Sequence, residues 1–130
     1  MLLLIHDLDR KTLGELKKGL EDELNTSPIS NKLVCIPVEE LEAWLMSDPK
    51  TLKDIFNLKR LPKIGNKPES ISSPKEKLGE FIYSCSDKKV RFLHTKHNVV
   101  IANLIPINEI DKKCPSFKPF NEFVSNQKYK

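Results

Sequence analysis

Two short apolar runs separated by one amphipathic segment constrain the fold of this chain more than any other feature. The runs are Met1 to Ile5 and Leu33 to Ile36, and each is unbroken, as in a strand that is covered on both faces. Between the runs, four leucines recur at helical spacing: Leu13, Leu16, Leu20 and Leu24. Two strands joined by a crossover helix form a βαβ unit, so the sequence predicts an α/β fold with a small parallel sheet.

Helix signals continue after the second run. A short segment carries Leu41, Trp44 and Leu45 on its inward face, and Trp44 is predicted to be a core residue. Asp48-Pro49 has the pattern of an N-cap followed by the first helical residue, and it predicts a helix through Phe56.

From Asn57 to Ser72 the periodicity is lost, which predicts a long basic loop. Ser73-Pro74-Lys75-Glu76 has the pattern of a capping box and predicts a helix from Pro74 to about Tyr83. Beyond it we expect an extended segment or loop over residues 90–95 and then three short, buried helices, at 98–104, 107–112 and 119–124.

Charge is distributed unevenly along the 130 residues, of which 38% are hydrophobic. Residues 1–58 carry 7 basic and 11 acidic side chains, and residues 59–130 carry 15 basic and 7 acidic ones. We expect one domain over residues 1–130, in which 1–58 form an acidic βαβα core and 59–130 form a basic loop and helical extension. An acidic site beside a basic surface indicates a polyanionic partner, of which nucleic acid is the main candidate; the alternative is an ordinary lysine-rich solvated surface.

Three cysteines, Cys35, Cys85 and Cys114, lie far apart without a Cys-x-x-Cys pair. This spacing argues against a disulfide scaffold and against a structural zinc site. The apolar residues 1–5 are too few for a signal peptide or a membrane span. We therefore expect a cytoplasmic protein that does not bind membranes.

Acidic residues follow both predicted strands. Asp7 and Asp9 come after the first strand, and Glu39, Glu40 and Glu42 come after the second. Alternate residues of an extended chain point to the same side, and open α/β sheets place their sites at the carboxyl ends of strands. Mg2+ binds through a few carboxylates while it keeps several waters, so Asp7, Asp9 and Glu42 are predicted to hold Mg2+ or Mn2+.

Some of these carboxylates also have a simpler interpretation. Asp9 lies close before Thr12 and Leu13, where it could cap the helix. Acidic residues at the start of a helix interact favourably with its dipole, and for Glu39 we favour this interpretation. On an ideal helix Glu39 and Glu42, three residues apart, share a face, whereas Glu40 lies nearer the side of Trp44. This geometry argues against a joint role of Glu40 and Glu42 unless the helix begins only at Glu42; for Glu42 we favour a role in the site.

A third group of polar residues comprises His94, Lys96 and His97. Lys96 could contact phosphate oxygens, and a histidine could donate a proton. The same residues could form a surface turn, or His97 could cap a helix that begins near Asn98.

Four segments together resemble the DUF4276 family of bacterial proteins: LLIHDLD (3–9), IPVEELEAWLMSDP (36–49), LHTKHN (93–98) and CPSFKPF (114–120). The resemblance covers nearly the whole chain, and ELEAWL is its most specific part. That family is similar to the Toprim fold of topoisomerases, primases and OLD-type nucleases. The resemblance implies a metal site in which Asp7 and Asp9 form the Asp-x-Asp pair, while Glu40 and Glu42 form the second acidic motif.

Toprim domains also have an earlier motif, a glutamate in a glycine-containing loop after a strand, and only six residues precede Asp7 here. We therefore expect the chain to lack this motif and to need a partner or an additional amino-terminal segment for activity. The predicted function is Mg2+-dependent phosphodiester chemistry on nucleic acid, of the kind seen in nucleases and phage defence, with Glu42, Glu40, Lys96 and His97 as catalytic candidates. The alternative is a catalytically inactive module that docks a protein partner or a second copy through an exposed sheet edge.

Overall fold

The computed structural model describes residues 2–8, 12–29, 31–37 and 41–127. The strands and helices are β1 (Leu2–Ile5), α1 (Leu13–Leu24), β2 (Lys32–Cys35), α2 (Glu42–Leu45), α3 (Pro49–Phe56), α4 (Pro74–Cys85), α5 (His94–Leu104), α6 (Ile107–Lys113) and α7 (Lys118–Gln127). Short 3-10 helices span Pro68–Ser70 and Pro115–Phe117. The predicted α/β class is confirmed.

β1 and β2 pair in parallel, as the βαβ pattern predicts, with Leu3 opposite Leu33 and Ile5 opposite Cys35. The ladder continues beyond both strands, because the amide of His6 donates to the Cys35 carbonyl at 3.1 Å and that of Leu8 donates to the Pro37 carbonyl at 3.1 Å. The chain therefore stays extended through residue 7. Because side chains alternate between faces, Asp7 lies on the same face as Leu3 and opposite to Leu8.

The two faces of β2 contact different hydrophobic clusters. Val34 and Ile36 pack with Leu20 of α1, and Cys35 packs into the main core. The prediction of a strand covered on both faces is confirmed. Leu3 belongs to the main-core side and Leu8 to the α1 side, so the face that carries Asp7 looks toward the main core.

The main core contains residues from both halves of the chain. Trp44 is 4% exposed and contacts the ring of Phe117 edge-on, with the ring centroids 5.0 Å apart, and Phe120 at 5.9 Å. The prediction that Trp44 is a core residue is confirmed. Such aromatic pairs stabilise the core beyond the area that they bury.

Residues 57–73 have little regular structure, as predicted, but apolar side chains fix this segment to the core. Pro62, Ile64 and Pro68 are buried, while Lys63 and Lys67 remain exposed. The segment therefore has a packed inner side and a charged outer side.

α4 begins at Pro74 as the sequence predicts, and it extends to Cys85. The predicted capping box is wrong, because Ser73 adopts the left-handed conformation (φ 51°, ψ 60°) and its side chain makes no capping hydrogen bond. A capping residue normally has extended backbone angles, from which its oxygen reaches the amides of the first turn.

α5 begins at His94, so the predicted extended segment over residues 90–95 ends two residues early and the predicted helix start near Asn98 is wrong. The helix is also less buried than expected: Ile101 is fully buried, whereas Val99 and Leu104 are 65% and 62% exposed. His97 does not cap the helix from its first position. Its Nδ1 instead accepts a hydrogen bond from the amide of Leu93, the N-cap residue, at 2.9 Å.

Cys35, Cys85 and Cys114 are free thiols, and all three are buried, which confirms that they form no disulfide. Among the described helices, none has the length and apolar character that crossing a bilayer requires.

Candidate functional site

Asp7 lies just past the end of β1 and reaches toward the start of α2. Its Oδ1 accepts a hydrogen bond from the backbone amide of Leu41 at 2.9 Å. Leu41 is the N-cap residue of α2, and Glu42 is the first residue of that helix. The contact therefore brings the first predicted acidic cluster against the second, although 34 positions separate the two bonded residues.

Burial is the main cause of the raised pKa of the Asp7 carboxyl group. The amide of Leu41 opposes this effect, the negative charge of Glu42 raises the pKa further, and the charges of Lys75 and His6 lower it. Asp7 is thus hydrogen-bonded to the residue before Glu42, and the two carboxylates lie within electrostatic range of each other. Two nearby carboxylates in a partly desolvated place are electrostatically unfavourable unless a cation or a proton neutralises them.

Among the described residues, Glu42 is the one charged residue that is buried, at 4% exposure. Its Oε1 accepts a hydrogen bond from the side-chain amide of Asn98 on α5 at 3.1 Å. The start of α2 at Glu42 removes the geometric objection that a longer helix would raise against the pairing of Glu40 and Glu42.

The other polar atom of the Asn98 side chain, Oδ1, is buried and has no hydrogen-bond donor within the part of the chain that the structure describes. Buried acceptor atoms nearly always have a partner, so this oxygen retains the capacity to accept from a ligand or a water molecule or to coordinate a cation. We call Asp7, Glu42 and Asn98 together the acidic site. Its donor set of two carboxylates and one amide oxygen suits Mg2+, which favours oxygen ligands and keeps several waters.

Two residues near the acidic site were missed from the sequence. Asn98 lies in the LHTKHN segment, where an asparagine gives no sequence signal of a contact with the distant Glu42. Lys75, in the first turn of α4, lies near enough for its charge to lower the pKa of Asp7. A lysine in the first turn of a helix gives no sequence signal of a role at a site formed by other elements.

Asp9, Glu39 and Glu40 lie outside the described residues, so the structure does not place them. Among the residues that it does describe, no three His, Cys, Asp or Glu side chains converge as a metal site. Of the predicted metal ligands, the structure thus brings together Asp7 and Glu42.

His97 is held by packing and by a hydrogen bond. Its ring lies edge-on to Phe56 at 5.0 Å and is stacked on Phe92 at 5.8 Å. Burial, followed by the charge of Lys96, lowers its pKa. Lys96 is exposed in the first turn of the same helix. The two predicted catalytic candidates therefore differ in their availability to a substrate. Lys96 is exposed, whereas the ring of His97 is packed and its Nδ1 already accepts a hydrogen bond.

A partly buried polar network includes the indole of Trp44. The Trp44 Nε1 donates to Oγ of Ser116 at 2.9 Å, and this hydroxyl in turn donates to the carboxylate of Glu69. Glu69 also accepts a hydrogen bond from the Ser116 amide at 3.1 Å. Burial, with a further contribution from the charge of Glu69, raises the pKa of Cys35 to about 11.

A groove with a volume of about 590 Å³ lies between α1, β2 and the segment from Pro115 to Pro119. Its lining is mainly apolar and contains neither Asp7 nor Glu42. The acidic site is therefore separate from this groove.

A family profile described as "Domain of unknown function (DUF4276)" matches residues 1–124. No curated protein and no solved structure matches the chain.

Proposed function

The chain belongs to the DUF4276 family, and from the acidic site we propose that it is a Toprim-like protein that carries out Mg2+-dependent phosphodiester chemistry on nucleic acid, as nucleases do. The observation that supports this proposal best is the meeting of Asp7 and Glu42. Asp7 accepts from the amide of Leu41, next to the almost fully buried Glu42, and Glu42 in turn accepts from Asn98, whose Oδ1 has no donor among the described residues.

Mg2+ or Mn2+ would be held by Asp7 and Glu42, with Oδ1 of Asn98 and the predicted residues Asp9 and Glu40 as further ligands. When bound, such a cation neutralises phosphate oxygens and lowers the pKa of a bound water. The resemblance to OLD-type nucleases extends the proposal to a phage-defence system in the cytoplasm.

The chain's own residues have distinct roles in this proposal. Asn98 orients the Glu42 carboxylate through its amide, and Leu41 orients Asp7 through its backbone N–H. Lys96 is exposed and is the better of the two catalytic candidates on α5 for contacting a phosphate oxygen. His97 is a positioning residue, because its Nδ1 accepts from the Leu93 amide and its ring packs against Phe56 and Phe92, which together fix the start of α5.

Calorimetric titration with Mn2+ tests the proposal on wild type and on the Asp7→Asn and Glu42→Gln variants. We expect each substitution to weaken Mn2+ binding at least tenfold, because it removes one charged ligand. Asp54→Asn is the matched control, since Asp54 is an exposed aspartate on α3. Equal affinities in all four proteins would refute the metal site.

The unfolding midpoint in chelator gives an independent measurement. Asp7→Asn keeps the acceptor for the Leu41 amide and removes the repulsion from Glu42, so we expect a higher urea midpoint than that of wild type without metal. A marked loss of stability would instead indicate that the Asp7 charge has a structural role.

An assembly module is the second candidate function. Among the described residues, β1 pairs with β2 alone, and Ile5 on β1 is 41% exposed. A strand with an open edge and an apolar exposed side chain can pair with the same strand of a second copy.

Light scattering distinguishes this candidate from the first. Pairing through β1 predicts a dimer that Ile5→Lys converts to monomer, because a charge on an edge strand opposes pairing. Ile29→Lys is the control, since Ile29 has the similar exposure of 40% but lies outside the sheet. A monodisperse species of 15.0 kDa at all concentrations would exclude the dimer.

A further inference from the structure

Basic residues from two segments meet at the carboxyl end of α4. The amide of Lys59 donates to the carbonyl of Cys85 at 2.8 Å, which ties the segment after α3 to the last turn of α4. Arg60 then pairs with Asp87 at 2.9 Å and also donates to the Ser84 carbonyl. Asp87 is therefore already neutralised by Arg60.

After α4 the chain turns back along the helix. Asp87 and Lys88 have positive φ angles of 55° and 64°, and the Lys88 amide donates to the Tyr83 carbonyl at 2.8 Å. The guanidinium of Arg91 lies over the Tyr83 ring, 5.1 Å from its centroid.

The returning segment continues to the middle of α4 and then to the acidic site. The Cβ of Phe92 lies 4.0 Å from the position that a Cβ on Gly79 would occupy. α5 starts two residues after Phe92, and in its second turn Asn98 reaches Glu42. Residues 88–98 therefore lead from the carboxyl end of α4 back to the acidic site.

This path carries positive charge. Residues 88–98 contain four basic side chains and no acidic one, namely Lys88, Lys89, Arg91 and Lys96, which we call the basic strip. All four are exposed. Exposed cations spaced along a segment that follows α4 suit a linear polyanion whose charges repeat along its length.

The length of α4 sets the distance between the acidic site and the far end of the basic strip. Its 12 residues span about 18 Å at the rise of an α-helix. Lys75, whose charge acts on Asp7, lies in the first turn of α4, and Lys88 lies just beyond its last. At the rise of about 3.4 Å per nucleotide of a strand stacked as in B-form DNA, this distance corresponds to roughly five nucleotides.

We propose that the basic strip binds the phosphate backbone of a nucleic acid and leads it to the acidic site, so that the protein contacts about five nucleotides to one side of the phosphate held there. That the nucleic acid is led to the acidic site rests on the proposed function. That the basic strip binds nucleic acid does not. Contacts to phosphates alone carry no sequence information, so the strip binds without base preference.

Fluorescence anisotropy with a labelled 20-nucleotide single strand, in EDTA, tests the strip without any metal. The strip variant is Lys88→Gln, Lys89→Gln, Lys96→Gln; Arg91 is kept because of its contact with Tyr83. The matched control is Lys17→Gln, Lys18→Gln, Lys53→Gln, which removes the same charge from exposed positions on α1 and α3. Circular dichroism verifies that both variants are folded.

We expect the strip variant to bind at least tenfold more weakly at 50 mM salt and to lose about two units of the log–log salt slope, at about 0.7 for each phosphate contact on a single strand. The control keeps its slope. An equal loss in both variants, or no binding by wild type at 50 mM salt, would overturn the proposal. Competition by poly-glutamate of equal charge as effective as that by DNA would also overturn it, because the surface would then bind any polyanion.

Two further measurements separate this proposal from the proposed function. Asp7→Asn retains nucleic-acid binding in EDTA if the strip acts independently of the metal. Affinity that rises with oligonucleotide length up to about five or six nucleotides and then levels supports the spacing; affinity that is already maximal at three nucleotides contradicts it. Equal Mn2+ affinity of wild type and Asp7→Asn would refute the metal site and leave the strip intact.

Discussion

The side-chain amide of Asn98 donates a hydrogen bond of 3.1 Å to Oε1 of Glu42, which joins α5 to α2 across 56 positions of the chain. Glu42 is 4% exposed, and a carboxylate this buried requires compensation by a donor or a cation. The contact therefore fixes the orientation of one of the two carboxylates in the acidic site.

Removal of the amide should destabilise the protein. We expect Asn98→Ala to lower the free energy of unfolding by about 1–3 kcal/mol, because it leaves a buried carboxylate without its donor. Urea denaturation provides the measurement. Asn103→Ala is the control, since Asn103 is exposed on the same helix. Equal losses in the two variants would show that the contact with Glu42 contributes little.

Stability should depend on pH through His97. Burial, followed by the charge of Lys96, lowers its pKa below the ordinary value of 6.5, so the unfolded chain binds a proton more readily than the folded protein does. The stabilisation of the folded protein by neutral His97 is therefore complete above pH 6.5. It decreases as the pH falls from 6.5 through the lowered pKa. Unfolding of wild type and His97→Gln at about pH 7.5 and about pH 5.5 measures it.

The loss of stability on acidification should be smaller in His97→Gln than in wild type. His94→Gln is the matched control, because His94 is an exposed histidine in the same helix, and it should keep the wild-type pH dependence. The same pH dependence in all three proteins would contradict the assignment to His97.

The buried thiols should be unreactive in the folded protein. Burial is the main cause that raises the pKa of both Cys35 and Cys114 to about 11, so only about one thiol in a thousand is ionised at about pH 8. We expect Ellman's reagent to label these two thiols slowly in the native state and all three cysteines rapidly in denaturant. Rapid native labelling of Cys35 or Cys114 would show that the region around it opens readily.

The network around Trp44 should be sensitive to Glu69. Glu69→Ala removes the acceptor of the Ser116 amide and hydroxyl, and we expect a loss of about 1–3 kcal/mol in the free energy of unfolding. Trp44 is the one tryptophan of the chain, so its emission reports the change directly. Glu76→Ala at an exposed position of α4 should leave both stability and emission unchanged; a similar response would mean that Ser116 does not need its carboxylate partner.

The sequence by itself determined the elements whose signals are local. Unbroken apolar runs predicted both strands, because a strand covered on both faces has no polar alternation. Leucines at helical spacing predicted α1 between them, and the two together required a parallel pair. The burial of Trp44 and the absence of disulfides also followed from residue type and spacing alone.

Only the tertiary structure decided which distant side chains meet. Local pattern gave Ser73 a capping role, but its left-handed backbone prevents that role. α5 starts at His94 because His97 accepts from the Leu93 amide while Phe56 and Phe92 hold its ring, and Phe56 is remote in sequence. Asn98 on α5 and Lys75 on α4 lie near Asp7, which follows β1, and Glu42 on α2 because these four elements pack together. The residue pattern within a single element cannot predict such a contact.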